Sequence, residues 1–330
     1  MRATTLRATG VEVTRLALGC AALGNLYRPV SDARARATVD AAWAAGIRCF
    51  DTAPHYGLGL SERRLGAALR GRPRAEYTVS TKVGRLLMPD AGGGDDLANG
   101  FAVPATHRRV WDFSAAGVRR SLEESLARLG LDHVDIALLH DPDDHGEQAF
   151  REAYPALERL RDEGVVRAIG AGMNRTAMLT RFVRDTDVDL VLCAGRYTLL
   201  DPSALEDLLP EAAARGRSVL VGGVFNSGLL ADPRAGARYD YGVAPRELVE
   251  RALRMREVCV RHGVALRGAA LRFPLGHPAV AGVLLGARSP EEVADGTARF
   301  GERPPGALWA ELRAEGLLGT GVPVPGEDGV

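Results

Sequence analysis

An excess of charge of either sign is missing from this chain: 42 acidic side chains stand against 42 Lys and Arg in 330 residues, a formal net charge of zero. Without a basic field nothing draws in nucleic acid or an anionic membrane. The basic residues come as isolated pairs, Arg63-Arg64, Arg108-Arg109 and Arg119-Arg120, which read as solvated faces. Cysteine is scarce. Cys20, Cys49, Cys193 and Cys259 show no C-x-x-C spacing, and three lie in apolar, strand-like runs. Such residues read as small buried hydrophobes rather than a redox or metal set, in keeping with a reducing compartment. No apolar run approaches the ~20 residues that span a bilayer, and the first residues lack the apolar stretch of a secretory leader. A soluble, cytoplasmic protein with no nucleic-acid or membrane partner is expected. Internal repeats and low-complexity linkers are also absent, so residues 1–330 are expected to form one domain.

What is present is an alternation. After an expected hairpin over Leu6–Thr14, strand-like runs fall at Leu16–Cys20, Ile47–Asp51, Tyr77–Lys82, Val134–His140, Val165–Ala171, Val188–Ala194, Ser218–Val221 and Val280–Leu285. Helical patterns lie between them, near 32–45, 61–70, 114–129, 148–163, 175–184, 203–215, 246–262 and 290–300. Ser114 is a fitting N-cap, with Val118, Leu122, Leu126 and Leu129 on one face and Gly130 as the stop. An extra C-terminal helix is expected over Pro305–Glu315. Eight strand–helix units close most simply as a parallel α/β barrel, the TIM (β/α)8 architecture. The rival is an open, doubly wound sheet, but no G-x-G-x-x-G follows the first strand, which runs on as Leu18-Gly19-Cys20-Ala21-Ala22-Leu23-Gly24. Two long connections, 83–113 and 222–245, are expected to wall the site at the C-terminal face of the barrel.

Strand ends at that face carry the chemistry of such barrels. Asp51 ends the second strand, Tyr56 lies in the loop after it, Lys82 ends the third and His140 the fourth. Singly, each has an ordinary reading as a turn former, packing ring, solvated amine or structural donor. Together they make an acid–base set. A free phenol has a pKa of ~10; a nearby ammonium at Lys82, paired with Asp51, lowers it, so Tyr56 can give or take a proton while His140 orients the substrate oxygen. Two rivals use the same residues. A metal-dependent hydrolase would draw on His140, Asp141, Asp143, Asp144 and His145, but no other strand end supplies a clear His ligand and no metal is expected. A Schiff-base enzyme would use Lys82 and leave Tyr56 unexplained.

The segments FDTAPHYG (50–57), STKVG (80–84) and LLHDPD (138–143) resemble signature stretches of the aldo/keto reductase superfamily, with further matches from Leu16 to Phe300. The resemblance implies a TIM barrel, an NAD(P)(H) cofactor, hydride transfer, and Asp51, Tyr56, Lys82 and His140 as the catalytic residues. The stretches IGAGMN (169–174), AGRYTLLDP (194–202) and GGVFNSGLLA (222–231) are similar to the aldose 1-dehydrogenase and pyridoxal 4-dehydrogenase subgroup, which implies a sugar-like hemiacetal or carbonyl substrate. It further implies that Asn174 holds the nicotinamide carboxamide. The loop Gly222, Gly223, Val224, Phe225, Asn226, Ser227 and Gly228 would offer backbone N–H groups to the pyrophosphate. Arg288 and Glu292, at the start of the helix after the eighth strand, would face the adenosine end. Arg288 favours NADP(H), and NAD(H) stays open. Ser289 with Pro290 also reads as a plain helix cap. Tyr27, Trp111 and Tyr197 stand in loops that would face substrate. The alternatives are an NADPH-dependent aldehyde or ketone reductase and a cofactor-binding module without turnover.

Overall fold

A computed structural model describes residues 1–6 and 9–326. Eight parallel strands close on themselves as a barrel: β1 Leu16–Gly19, β2 Cys49–Asp51, β3 Thr78–Val83, β4 Ile136–His140, β5 Ala168–Met173, β6 Leu190–Ala194, β7 Ser218–Gly222 and β8 Val280–Gly286. Closure is the β8–β1 ladder, with Val283 opposite Leu16 and Leu285 opposite Leu18. The strands are enclosed on both faces: every residue of β3, β4 and β5 is buried, including the polar Thr78, Ser80, Thr81 and Lys82 of β3.

The helices ring the barrel as α1 Asp32–Ala44, α2 Leu60–Leu69, α3 Ala115–Leu129, α4 Tyr154–Asp162, α5 Thr176–Asp185, α6 Leu208–Ala214, α7 Arg246–Arg261, α8 Leu266–Arg272, α9 Pro290–Gly301 and α10 Gly306–Ala314. In α3 the Ser114 hydroxyl accepts the Gly117 N–H at 3.0 Å, and Val118, Leu122 and Leu129 are buried. In α9 the Ser289 hydroxyl accepts the Glu292 N–H at 3.2 Å.

Several boundaries differ from the sequence reading. The hairpin begins earlier, with Ala3–Thr5 paired antiparallel to Glu12–Thr14; part of the expected turn, residues 7–8, lies outside the described residues. Leu6, Val11 and Val13 pack with Ala17, Cys49, Ile136, Ala168, Leu190 and Leu220, so the hairpin plugs the end of the barrel opposite its mouth. The helix expected over 148–163 is present from Gly146 to Asp162, but with a π-turn over Ala149–Ala153 inside it before α4. Pro155 is the cause, because it cannot donate to the carbonyl one turn back. Helix α8 has no amphipathic stripe to reveal it, since Leu266, Gly268, Ala269, Ala270 and Leu271 are all buried.

The connection 83–113 is two antiparallel ribbons rather than an irregular loop. Arg85–Pro89 pairs with His107–Trp111, and Asp95–Asp96 with Phe101–Pro104. In the connection after β7, Arg238–Tyr239 pairs with Gly242–Val243.

Candidate active site

The barrel ladders fix the relative height of three charged or titratable side chains. Asp51 lies opposite Ser80 and Leu138 opposite Lys82, which brings the last turns of β2, β3 and β4 to one mouth. Lys82 is the only lysine in the chain. It is 2% exposed, and its ammonium donates to Asp51 Oδ2 at 2.7 Å and to the Thr52 carbonyl at 3.0 Å. The loop after β2 is braced from below: Thr52 and Ser61 share a hydroxyl bond of 2.9 Å, and Ser61 donates to the Cys20 carbonyl at 2.7 Å. Tyr56 follows in a turn closed by its own N–H to the Ala53 carbonyl, 3.1 Å. Here two backbones touch: a Cβ on Gly24 would lie 2.6 Å from the Tyr56 carbonyl, so only glycine lets the loops after β1 and β2 meet.

The four expected catalytic residues converge. Lys82 Nζ lies 4.9 Å from the Tyr56 ring centroid, and the Tyr56 and His140 rings meet edge-on at 5.9 Å. Electrostatics refine the expectation for the phenol. Burial pushes Tyr56 up to about 12, and Lys82 pulls it down by less than burial raises it, so the phenol is a proton donor at neutral pH. Burial also works against the Lys82 ammonium, but Asp51 and the phenol more than restore it and lift its pKa above the ordinary value. Burial, with Arg85 and Lys82 nearby, holds His140 well below the usual imidazole range, so it is neutral. Its Nδ1 is buried without a partner, while Nε2 lies 3.6 Å from Asp141 Oδ2.

Other residues at the mouth went unassigned in the sequence. His55 stands edge-on to Phe101 at 5.2 Å and to His140 at 5.6 Å, and burial holds it down to about 2, a neutral spacer. Arg85 pairs with Asp141 and lies over the Trp111 ring, 4.1 Å from its centroid. Arg109 grips Asp96 through both nitrogens, 2.7 and 2.6 Å, and donates to the His55 carbonyl at 2.9 Å. Tyr241, from the ribbon after β7, lies beside Asn174. The position of Arg85, three residues beyond Lys82, and of Asp141, directly after His140, was the available signal. Among the described residues no three His, Cys, Asp or Glu side chains are grouped to hold a metal.

The second set of expected residues gathers beside the first. Asn174 donates to the Ala194 carbonyl at 3.0 Å and Asn226 to the Gly195 carbonyl at 3.3 Å, so the two amides flank Gly195. Asn226 Oδ1 is buried without a partner. Gly222 ends β7, and Gly223 takes φ 62°, where a Cβ would sit 3.0 Å from the Gly195 nitrogen. Val224 is buried in the core and the half-buried Phe225 packs against it. Asn226 and Ser227 hold φ of 46° and 57°, and Gly228 φ of 102°. Arg288 Nε pairs with Glu292 at 3.0 Å, and Glu292 also accepts the Arg288 N–H at 3.0 Å.

Of the three expected substrate residues, two stand at the rim. Tyr27 donates its N–H to the Gly100 carbonyl at 2.8 Å and lies under the Arg238 guanidinium, drawing three loops together. Trp111 is 42% exposed. Tyr197 departs from the expectation. It is fully buried, its ring 5.1 Å from Phe273 and 6.1 Å from His277, and it packs the core rather than facing the mouth.

The Aldo/keto reductase family matches residues 15–303 of this chain. The chain is 47% identical to a D-threo-aldose 1-dehydrogenase of Pseudomonas sp over 319 residues, covering 95% of this chain and 97% of that protein. It is 40% identical to a pyridoxal 4-dehydrogenase of Microbacterium luteolum, covering 94% and 96%. With an L-galactose dehydrogenase of Arabidopsis thaliana identity is 34%, covering 89% and 86%. Among solved structures, the holo form of an aldo-keto reductase from Bacillus halodurans superposes with a TM-score of 0.74 at 26% identity over 98% of both chains. A glycerol dehydrogenase from Gluconobacter oxydans shares the fold, with a TM-score of 0.75 at 23% identity over 99% of this chain and 98% of that one.

Proposed function

The chain belongs to the aldo/keto reductase family of NAD(P)-dependent oxidoreductases, and from that premise we propose that it is an aldose 1-dehydrogenase, oxidising the anomeric carbon of a sugar-like hemiacetal to a lactone. The observation that carries this reading is the buried Asp51–Lys82 pair set against the Tyr56 phenol, with a neutral His140 beside it. In this reading residues 1–330 act as one catalytic unit in the cytoplasm, where four buried, unpaired cysteines are at home.

The residues beside the mouth fit a nicotinamide dinucleotide. Gly223 lets its loop pass close against the Gly195 backbone, and Asn226 has an unsatisfied buried oxygen that a bound group could use. Tyr241 and Asn174 supply further polar groups next to them. Asn174 would hold the carboxamide and the 222–228 loop the pyrophosphate. Arg288, 43% exposed and held by Glu292 through Nε alone, keeps its terminal nitrogens for a 2′-phosphate, which favours NADP(H). When bound, the cofactor supplies the acceptor for a hydride from the substrate carbon.

The chain's own part is to handle a proton and an oxygen. In oxidation the anomeric C–H bond breaks and its electron pair leaves with the hydride. The hydroxyl proton passes to Tyr56 Oη as the carbonyl forms. Lys82 stabilises the phenolate that must precede this step, and Asp51 holds Lys82 charged and aimed. His140, neutral, donates from Nε2 to the reacting oxygen and fixes its direction. In reverse, Tyr56 returns the proton. The protonated resting phenol favours a second reading, reduction of an aldehyde or ketone with NADPH.

The test is the absorbance of reduced nicotinamide when purified protein meets NAD+ or NADP+ with L-fucose, L-galactose or pyridoxal. Sugar-dependent reduction of NADP+ is expected, lost by at least about a hundredfold in Tyr56→Phe while cofactor binding persists. Silence with sugars but oxidation of NADPH by simple aldehydes would move the protein to the second reading. Full activity in Tyr56→Phe would overturn the mechanism.

A further inference from the structure

One charged pair at the mouth has no task in moving the proton or the hydride. Asp141, directly after His140, takes φ 43°, a left-handed conformation that side-chain-bearing residues rarely hold. Its N–H donates to the Gly172 carbonyl at 3.1 Å, and its carboxylate pairs with Arg85. Arg85 is 7% exposed, its Nε is buried without a partner, and Trp111 backs its guanidinium at 4.1 Å from the ring centroid. Burying such a pair stabilises a fold little, because desolvation offsets the attraction. Its value lies in where it puts an oxygen: Asp141 Oδ2, on a side chain still 31% exposed, stands 3.6 Å from His140 Nε2.

We propose that Asp141, held in place by Arg85, accepts a hydrogen bond from the hydroxyl on the carbon next to the reacting one, so that the site selects α-hydroxy carbonyl compounds and aldoses over their 2-deoxy counterparts. Two groups 3.6 Å apart can each make a hydrogen bond of ~2.8 Å to oxygens on neighbouring carbons of one molecule. His140 Nε2 donates to the reacting oxygen, and Asp141 Oδ2 accepts from its neighbour. A carboxylate or phosphate is the wrong partner, since Asp141 already neutralises Arg85 and would repel an anion. Arg85 also keeps the acceptor ionised: burial raises the Asp141 carboxyl, and Arg85 is the first group to pull it back. Asp141 is thus a specificity residue for the reaction proposed above. The inference rests on that carbonyl–alcohol chemistry but not on the substrate's being a sugar.

The experiment compares kcat/KM for NADPH-dependent reduction of lactaldehyde and of propanal, which differ only in the 2-hydroxyl, and for oxidation of L-fucose and its 2-deoxy analogue. The wild type should favour the hydroxylated member by about 10- to 100-fold, the worth of a hydrogen bond to a charged group. Asp141→Gly removes the acceptor and relieves the positive φ, and there the ratio should fall to within about threefold of unity; Asp141→Asn keeps the shape and a neutral acceptor, and its ratio should fall between that and the wild type. A wild-type ratio near one, equal losses on both members in the variants, a preference for glyoxylate over lactaldehyde, or turnover of neither aldehyde would each overturn the proposal. Failure of sugar oxidation with the lactaldehyde preference intact would instead overturn only the aldose reading.

Discussion

Tyr56 and Lys82 set the pH response at the scale of single residues. Burial places the phenol at about 12, so reduction, which needs the protonated form, should hold a flat kcat/KM across the neutral range. Oxidation needs the phenolate, scarce at neutral pH, and its kcat/KM should climb roughly tenfold per unit from about pH 7 to 9. Rate profiles in both directions check this, and a flat oxidation profile would contradict the placement of the proton on Tyr56. These residues were legible in sequence because a barrel strand ends on its chemistry: Asp51 and His140 close their buried strands and Lys82 stands one residue from the end of its own. Arg85 and Asp141 were not, because each acquires meaning only from a partner 56 positions away. Tyr197 misled for the same reason, since the rings that bury it, Phe273 and His277, arrive from the far end of α8 and the turn after it. Composition held one unused signal. With every other cation an arginine, the lone lysine marks where a compact ammonium with three rotatable donors is needed.

The ribbons inserted after β3 are the element that most escaped the sequence. Their strands run two to five residues, too short for alternation to show, amid Gly and Asp that read as turn. What holds them is a buried ion pair. The side chains of Arg109 and Asp96 are 10% and 4% exposed, and Arg109 also ties the ribbon to the His55 carbonyl beside Tyr56. Arg109→Ala leaves the Asp96 carboxylate buried without its partner, and a loss of about 3 kcal/mol is expected in urea denaturation. Arg109→Ala together with Asp96→Asn should recover much of that loss; equal destabilisation in the single and double variants would show that the pair is not what holds the ribbon. Long helices, by contrast, were readable within a few residues, because an apolar stripe such as Val118, Leu122 and Leu129 repeats often enough to be seen.

For the molecule as a whole, the barrel is closed at one end and open for chemistry at the other. The closed end depends on Leu6, Val11 and Val13 filling the interior among the first residues of several strands. Leu6→Ala should cost about 2–4 kcal/mol as a cavity, read as a fall in denaturation midpoint, with substrate KM unchanged because the defect lies at the far end from the mouth. A changed KM would mean the two ends are coupled. Architecture was the most legible level, since eight strand–helix units admit few closures. The arrangement also gives the protein an unusual chemical surface. Its one ε-amine sits at the bottom of the mouth, 2% exposed, while every outward-facing cationic side chain is a guanidinium or an imidazole. Amine-directed reagents, which need a neutral amine, therefore find no ready ε-amine on the folded protein, because Lys82 is buried and held as an ammonium by Asp51. Acylation of Lys82 thus becomes a direct gauge of how often the mouth comes apart.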